Sequence, residues 1–216
     1  MWALILTIVV FLSISGICLG GERSNEAGEI KMLTESEGRL LIQVARDAIK
    51  AKLFGLQFQF PEGVPLTLKE KRGTFVTITI GGQLRGCIGH ILPVTSIIEG
   101  VRENAINAAF RDPRFPPLSR EEFDRIKIEV SVLTFPTPLK YKDHQDLLNK
   151  LRPNVDGVII KKGFHQATFL PQVWEQLPEK KEFLTHLCLK AGLEPDAWKQ
   201  GGLEVQTYQV QAFHEE

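Results

Sequence analysis

The amino-acid sequence predicts an α+β fold in which helices pack on a mixed or antiparallel sheet. Two observations lead to this prediction. Several β-rich runs come in pairs joined by tight turns, and helical segments interleave with these pairs instead of following every strand. The composition allows a substantial core, because 43% of the 216 residues are hydrophobic.

Two helices in the first half of the chain have clear N-terminal signals. Thr34 and Glu37 form a capping-box pair, after which apolar residues recur at helical spacing as far as Ile49. A second capping box begins at Ser96, and its helix is predicted to run to about Phe110. These signals place both helix starts independently of the apolar pattern.

A β-hairpin is predicted between these two helices. Residues 75–80 are β-rich and end at Gly81 and Gly82, a pair that suits a tight turn and returns the chain through residues 83–85. This hairpin places Cys87 at the end of a strand.

The second half of the chain is predicted to add strands, a hairpin and two helices. The predicted elements, in chain order, are a strand over 126–132, a short helix capped by Asp143, hairpin arms at 158–160 and 167–170, a helix from about 178 to 191, and a strand over 203–210. Repeats, coiled coils and low-complexity tracts do not occur in the sequence.

Charge and cysteine content exclude several classes of protein. The 26 basic and 26 acidic residues cancel, and neither a Lys/Arg block nor zinc-finger spacing occurs, so no nucleic-acid partner is predicted. Besides Cys18, only Cys87 and Cys188 are present. They could form one disulfide in an exported protein, but they provide no framework of disulfides.

The first residues form an uncharged apolar run over residues 2–19. Its length lies between that of a signal-peptide core and that of a short membrane span. We therefore predict a signal peptide or N-terminal membrane anchor at residues 1–20, followed by a linker at 21–33. The protein is then membrane-anchored or exported, with membrane association through residues 2–19, or cytoplasmic if this segment is a misassigned start.

The most informative motif is the glycine-flanked cysteine. Cys87 lies between Gly86 and Gly89, with Arg85 two residues before it and His90 three residues after it. Glycines leave room for a ligand, and a nearby cation favours the thiolate, which is the nucleophilic and metal-binding form. Cys87 is thus a candidate nucleophile, redox thiol or metal ligand, and the alternative is a buried core residue.

Further polar residues could complete a site at Cys87. His90 is a candidate base, with His144, His165 and His186 as alternatives. Two ligands spaced like Cys87 and His90 do not fill a tetrahedral metal site, so no metal is predicted.

Two arginines follow the second helix and precede a proline-rich stretch. Arg111 and Arg114 are candidate ligands for a carboxylate or phosphate. The alternative is a solvated helix cap that contains an internal ion pair with Asp112.

Several segments together resemble the AMMECR domain family, whose members belong to the AmmeMemoRadiSam system. The resemblance covers roughly residues 34–213, and the matching stretches are residues 84–89, 108–115, 129–133, 157–158, 167–174, 183–184 and 188–193. The run Arg85-Gly86-Cys87-Ile88-Gly89 is the hallmark of this family.

The resemblance implies a domain over residues 34–214 with a larger and a smaller lobe. It also implies a genomic association with a Memo-like protein and a radical S-adenosylmethionine enzyme, while it identifies neither an activity nor a cofactor. We expect an enzyme-like or accessory component with a cleft at Cys87, in which Arg85 tunes the thiol. The alternative is a non-catalytic binding or scaffold module that contacts a partner through a loop at residues 85–89.

Overall fold

Two four-stranded antiparallel sheets organise residues 32–216, which are the residues described by the computed structural model. The chain divides into two units. Among the described residues, the first combines residues 32–132 with Gln211–Glu216, and the second is Leu133–Val210. The predicted α+β class, with antiparallel sheets and a larger and a smaller lobe, is confirmed.

Helices and strands alternate irregularly along the chain. In chain order they are α1 (Glu35–Phe54), β1 (Thr74–Ile80), β2 (Gln83–His90), α2 (Ile97–Phe110), α3 (Arg120–Phe123), β3 (Ile126–Leu133), β4 (Thr137–Pro138), α4 (His144–Lys150), β5 (Gly157–Lys162), β6 (His165–Phe169), α5 (Lys180–Lys190), β7 (Glu204–Tyr208) and β8 (Val210–His214). Short 3-10 helices lie at Leu66–Lys69, Pro171–Glu175 and Ala197–Lys199.

The sheet of the first unit has the strand order β2-β1-β3-β8, so β2 is an edge strand. Gly81 and Gly82 connect β1 to β2 with positive φ at both positions, which is the turn that the pair predicts. Helices α1 and α2 contribute to a single apolar core with alternate residues of β1 and β3, including Val76, Ile78 and Ile128. The other face of this sheet therefore carries the intervening residues.

The sheet of the second unit has the order β4-β7-β5-β6. Its core joins α4 and α5 to the apolar residues of β5 and β7. At its centre Trp174 stacks on Phe183, with 3.6 Å between ring centroids and 5° between planes. Cys188 is fully buried in this core.

The second unit is inserted between two neighbouring strands of the first. The chain leaves β3 at Leu133 and returns into β8 at Val210. At this junction Thr134 N–H donates to the Gln209 carbonyl at 2.9 Å, and Gln209 N–H donates to Thr134 Oγ1 at 2.8 Å. Two hydrogen bonds thus join the outgoing chain to the returning chain.

Membrane association was predicted from residues 1–20, which lie outside the described residues. Across residues 32–216, no helix combines the length and the apolar character needed to cross a bilayer. The longest of them, α1, has charged side chains around its surface, among them Glu35, Arg39 and Asp47. The structure therefore does not support the predicted signal peptide or membrane anchor, or a membrane-anchored or exported protein.

Candidate functional site

Cys87 lies inside β2, where it pairs with Thr77 of β1. Two residues before Cys87 the pairing register of β1 and β2 shifts. Ile78 faces Gly86 whereas Thr79 faces Leu84, so Arg85 is the extra residue of a β-bulge. Residues 85–89 are therefore part of an edge strand, and the prediction of a loop there is wrong. Its cause is the pair of glycines, which suggested a turn where the strand continues.

The Cys87 thiol is buried and already has a hydrogen-bond donor. Cys87 is only 6% exposed, and Thr77 Oγ1 donates to the Cys87 sulfur at 3.3 Å. Burial raises the pKa of Cys87, although the Thr77 hydroxyl and the nearby Arg114 guanidinium act in the opposite direction. The protonated thiol is therefore the form that the site favours at neutral pH.

His90 lies on the other face of β2. Residues three apart on a strand point to opposite sides, and His90 faces α2, where Asn104 Nδ2 lies 3.2 Å from His90 Nδ1. Thr95 Oγ1 lies 3.4 Å from Nε2 of the same ring. Burial lowers the pKa of His90, against the opposing effect of the Asn104 hydrogen bond. The structure thus does not bring the predicted base to the thiol.

The remaining predicted bases, His144, His165 and His186, belong to the second unit. A histidine that the sequence reasoning missed, His214 on β8, lies with Nδ1 3.4 Å from Oε2 of Glu129. Strand alternation alone puts Glu129 on the same face as Thr77. The position of His214 beside Glu129 also requires β8 to pair with β3, and that pairing spans the inserted unit, so it could not be predicted from the sequence.

Arg85 binds a carboxylate of the chain itself. Its Nε and Nη2 donate to the two carboxylate oxygens of Glu122 at 2.7 and 3.0 Å, and Nη2 also donates to the Pro116 carbonyl at 2.9 Å. The Arg85 guanidinium in turn lowers the pKa of Glu122. Arg85 therefore holds α3 and the preceding loop against β2, and the guanidinium beside the Cys87 sulfur belongs to Arg114.

Asp112 and Arg114 bind the backbone of Cys87 from the open side of β2. Cys87 N–H donates to Asp112 Oδ2 at 2.9 Å, and Arg114 Nη2 donates to the Cys87 carbonyl at 3.1 Å. The two side chains also form an ion pair, with 2.7 Å between Arg114 Nη2 and Asp112 Oδ2 and 2.9 Å between Arg114 Nε and Asp112 Oδ1. The internal ion pair of the predicted helix cap is therefore present, and both of its side chains are also bound to the backbone of β2.

The charge state of Asp112 follows from these contacts. Burial alone would raise the pKa of Asp112, but hydrogen bonds from Arg114 and from the Cys87 N–H outweigh it and lower the pKa. The ionised carboxylate thus supplies the acceptor, and Arg114 the donor, that a neighbouring antiparallel strand would otherwise supply at Cys87. The Asp112–Arg114 ion pair therefore satisfies the outward backbone groups of Cys87, in the middle of the edge strand β2.

Arg111 has a different environment from Arg114. It is exposed, and its Nη1 donates to Asn107 Oδ1 on α2 at 3.4 Å. The same segment contains Pro113, Pro116 and Pro117, which are all exposed like Arg111. Residues 111–117, called the arginine-proline loop below, therefore present one outward guanidinium on a stretch that is tied down at Asp112, Arg114 and Pro116.

The glycines of the motif serve close packing. A Cβ added at Gly86 would lie 2.2 Å from the carbonyl oxygen of Ala108 in α2, and one added at Gly89 would lie 2.2 Å from the ring of Phe75. Gly86 lets α2 approach the strand, and Gly89 makes room for an aromatic side chain of β1. The space beside each glycine is therefore occupied by another group of the chain itself.

Metal and disulfide chemistry receive no support from the described part of the chain. Within residues 32–216, no group of three or more His, Cys, Asp or Glu side chains could hold a metal ion. Cys87 and Cys188 are both free thiols, so the single disulfide considered for an exported protein is not formed.

Comparison with known proteins identifies the family. Residues 42–213 match the AMMECR1 family. The chain belongs to the AMMECR1 family. This confirms the family that the motif at Cys87 indicated.

Relatives in the AMMECR1 family match most of the chain. A protein of Methanothermobacter thermautotrophicus is 42% identical over 186 residues, which cover 85% of this chain and 97% of that protein. A protein of Methanocaldococcus jannaschii is 41% identical over 189 residues, covering 86% and 94% of the two chains. The crystal structure of an uncharacterized protein from Pyrococcus horikoshii matches with a TM-score of 0.77 and 36% identity, covering 85% of this chain and 94% of that one.

Proposed function

We propose that this AMMECR1-family protein is a non-catalytic accessory protein that binds partner proteins. One observation supports this most directly: the Arg85 side chain and the Cys87 backbone of the hallmark motif are bound by groups of the chain itself. Arg85 is paired with Glu122, and the Cys87 backbone with Asp112 and Arg114. In this proposal the motif holds the arginine-proline loop in place, and that loop contacts the partner protein.

The state of the Cys87 thiol argues against a nucleophile. A catalytic thiol needs a lowered pKa or a base within hydrogen-bond reach. Burial raises the pKa of Cys87, and His90 is engaged with Asn104 on the opposite face of the strand. Thr77 and Arg114 favour the thiolate, but burial has the larger effect.

The arginine-proline loop has the properties of a binding surface. Arg111 is exposed without an ion pair among the described residues, and the prolines beside it restrict the backbone. The contacts of Asp112 and Arg85 fix the loop before any partner arrives, which reduces the conformational entropy lost on binding. An outward guanidinium on a rigid loop suits an acidic protein surface.

The family resemblance suggests which proteins to test. We propose a Memo-like protein and a radical S-adenosylmethionine enzyme as the partners, because the resemblance implies a genomic association with both. Binding of each purified protein to the full chain is measured by isothermal titration calorimetry. Arg111→Glu should weaken binding of one partner by about tenfold or more, since it reverses a charge at the contact.

The matched control is Arg39→Glu, which reverses the charge of an exposed arginine on α1. It should leave the affinity unchanged. The proposal fails if neither protein binds, or if Arg111→Glu and Arg39→Glu have equal effects.

The enzyme-like role is the competing hypothesis, and thiol chemistry separates the two. Iodoacetamide labelling of the folded protein between pH 7 and 9 should modify Cys87 no faster than the buried Cys188. Cys87→Ser identifies the labelled site and should retain partner binding. Rapid labelling of Cys87 at pH 7, with loss of function in Cys87→Ser, would favour a nucleophile.

A further inference from the structure

The tip of the β5–β6 hairpin carries a fully exposed aromatic side chain. Lys162 and His165 are paired, and the two residues between them, Gly163 and Phe164, form the turn. Gly163 has a φ of 62°, which glycine adopts without strain. Phe164 has a relative exposure of 107%, so the fold gains no burial from this ring.

This tip is anchored to the rest of the second unit. His165 Nδ1 lies 2.9 Å from the Ala191 carbonyl at the end of α5, and its ring lies against Gly192. The residue next to Phe164 is therefore fixed by a contact outside the hairpin. A side chain presented by an anchored turn loses less conformational entropy on docking than one on a free loop.

Two lysines precede the exposed ring in β5. Lys161 and Lys162 precede the turn, and among residues 32–216 neither forms an ion pair with a carboxylate. Glu204 faces Lys161 across the β5–β7 pair, so Lys162 is the less compensated of the two. The chemistry that complements this tip is an apolar socket with carboxylates at its rim.

We propose that Phe164 is a docking residue that inserts into an apolar, acid-rimmed socket on a partner protein. Aromatic residues dominate the binding energy of protein interfaces because they bury a large area at low entropic cost. The inference rests on the proposed function. An accessory protein that joins two partners needs two surfaces, and the arginine-proline loop and the Phe164 tip lie in different units.

The test uses the full chain and the two purified partner proteins of the proposed function. Phe164→Ser should weaken binding of one of them by about 30-fold or more, and Phe164→Trp should restore it. The ring makes no intramolecular packing that the fold needs, so the melting temperature should not change. Leu66→Ser is the matched control, because Leu66 is 80% exposed and lies in the first unit.

A charge variant tests the acidic rim separately. Lys162→Glu should weaken the same complex, and added salt should reduce the difference from wild type. Lys181→Glu, at an exposed position on α5, is its control and should bind like wild type.

The outcomes separate this inference from the proposed function. If neither partner binds the wild type, the proposed function fails and the docking role fails with it. If a partner binds and Phe164→Ser binds equally well, the docking role alone is overturned. It is also overturned if Phe164→Ser keeps partner binding but loses binding to phosphatidylcholine vesicles that contain phosphatidylserine, since the tip would then recognise a lipid surface.

Discussion

The Asp112 carboxylate accepts the backbone N–H of Cys87 at 2.9 Å, so a side chain occupies the place of a neighbouring strand. Arg114 completes the arrangement by donating to the Cys87 carbonyl. Exposed strand edges are sites of unwanted pairing with other chains. In this protein an ion pair from the loop after α2 covers the middle of the β2 edge and at the same time holds that loop.

Asp112→Ala should destabilise the protein strongly. The Asp112 side chain is 1% exposed, and its loss removes the ion-pair partner of Arg114 and the acceptor of the Cys87 N–H. We expect a loss of about 3 kcal/mol in the free energy of unfolding, measured by urea denaturation. Asp112→Asn retains an acceptor oxygen and should lose about 1–2 kcal/mol.

Arg111→Ala is the control for this series, because Arg111 is exposed in the same loop. Its effect should stay within about 0.5 kcal/mol. Equal effects of Asp112→Ala and Arg111→Ala would show that the ion pair does not hold the loop.

The same ion pair predicts an acid-sensitive contribution to stability. The pKa of Asp112 is lowered in the folded protein, so its contribution is present above the unfolded value near 3.9 and is lost as the pH falls through the folded pKa. Urea denaturation between pH 5 and pH 2 should show a steeper loss for wild type than for Asp112→Asn. Parallel curves for the two proteins would contradict this assignment.

Gly86→Ala should destabilise the contact between β2 and α2. The added Cβ would lie 2.2 Å from the Ala108 carbonyl, so strand and helix must move apart. We expect a loss of about 1–3 kcal/mol, measured by urea denaturation. Gly81→Asn is the control, since Gly81 has open space around it and asparagine tolerates its φ of 58°. A Gly86→Ala protein as stable as Gly81→Asn would refute the packing role.

His90 should make stability depend on pH below neutrality. Burial lowers its pKa in the folded protein, so the unfolded chain binds the proton more readily. The contribution of neutral His90 is therefore present above the unfolded pKa near 6.5 and is lost as the pH falls through the lower folded value. His90→Asn keeps an acceptor for Asn104 and should show a smaller fall in melting temperature between pH 7 and pH 5. An identical fall in both proteins would assign the effect to other groups.

Much of the local structure could be predicted from short sequence patterns. The capping box of Thr34 and Glu37, the Ser96 cap and the turn at Gly81 and Gly82 are all confirmed, because each depends on residues a few positions apart. The sequence analysis does not predict the helix after Ser119, although Ser119 and Glu122 form another capping box. This helix is only four residues long, which is too short to give a periodic apolar pattern.

The candidate site was harder to predict. The sequence suggested that Arg85 acts on Cys87, but Arg85 binds Glu122, 37 residues away, and Asp112 binds Cys87 from 25 residues away. Such pairs form only when α2 folds back along β2, and a single sequence does not reveal that geometry. The separation of Cys87 from His90 was accessible, since strand alternation alone puts them on opposite faces.

The inserted second unit predicts that the first unit can fold without it. Joining Leu133 to Val210 through an Asn-Gly turn should give a folded protein, because β3 and β8 are already neighbouring antiparallel strands. Cooperative urea unfolding and a far-ultraviolet circular dichroism spectrum with helix and strand would confirm it. A non-cooperative transition would show that the first unit depends on residues 134–209.

The same insertion has a consequence for synthesis on the ribosome. The partner strand of β3, β8, follows the whole second unit, so the outer side of β3 has no partner until residues 210–214 emerge. At roughly 5–20 residues per second, the delay lasts several seconds. During that time the second unit can fold on its own, while the nascent first unit exposes a β-strand to chaperones and to neighbouring nascent chains.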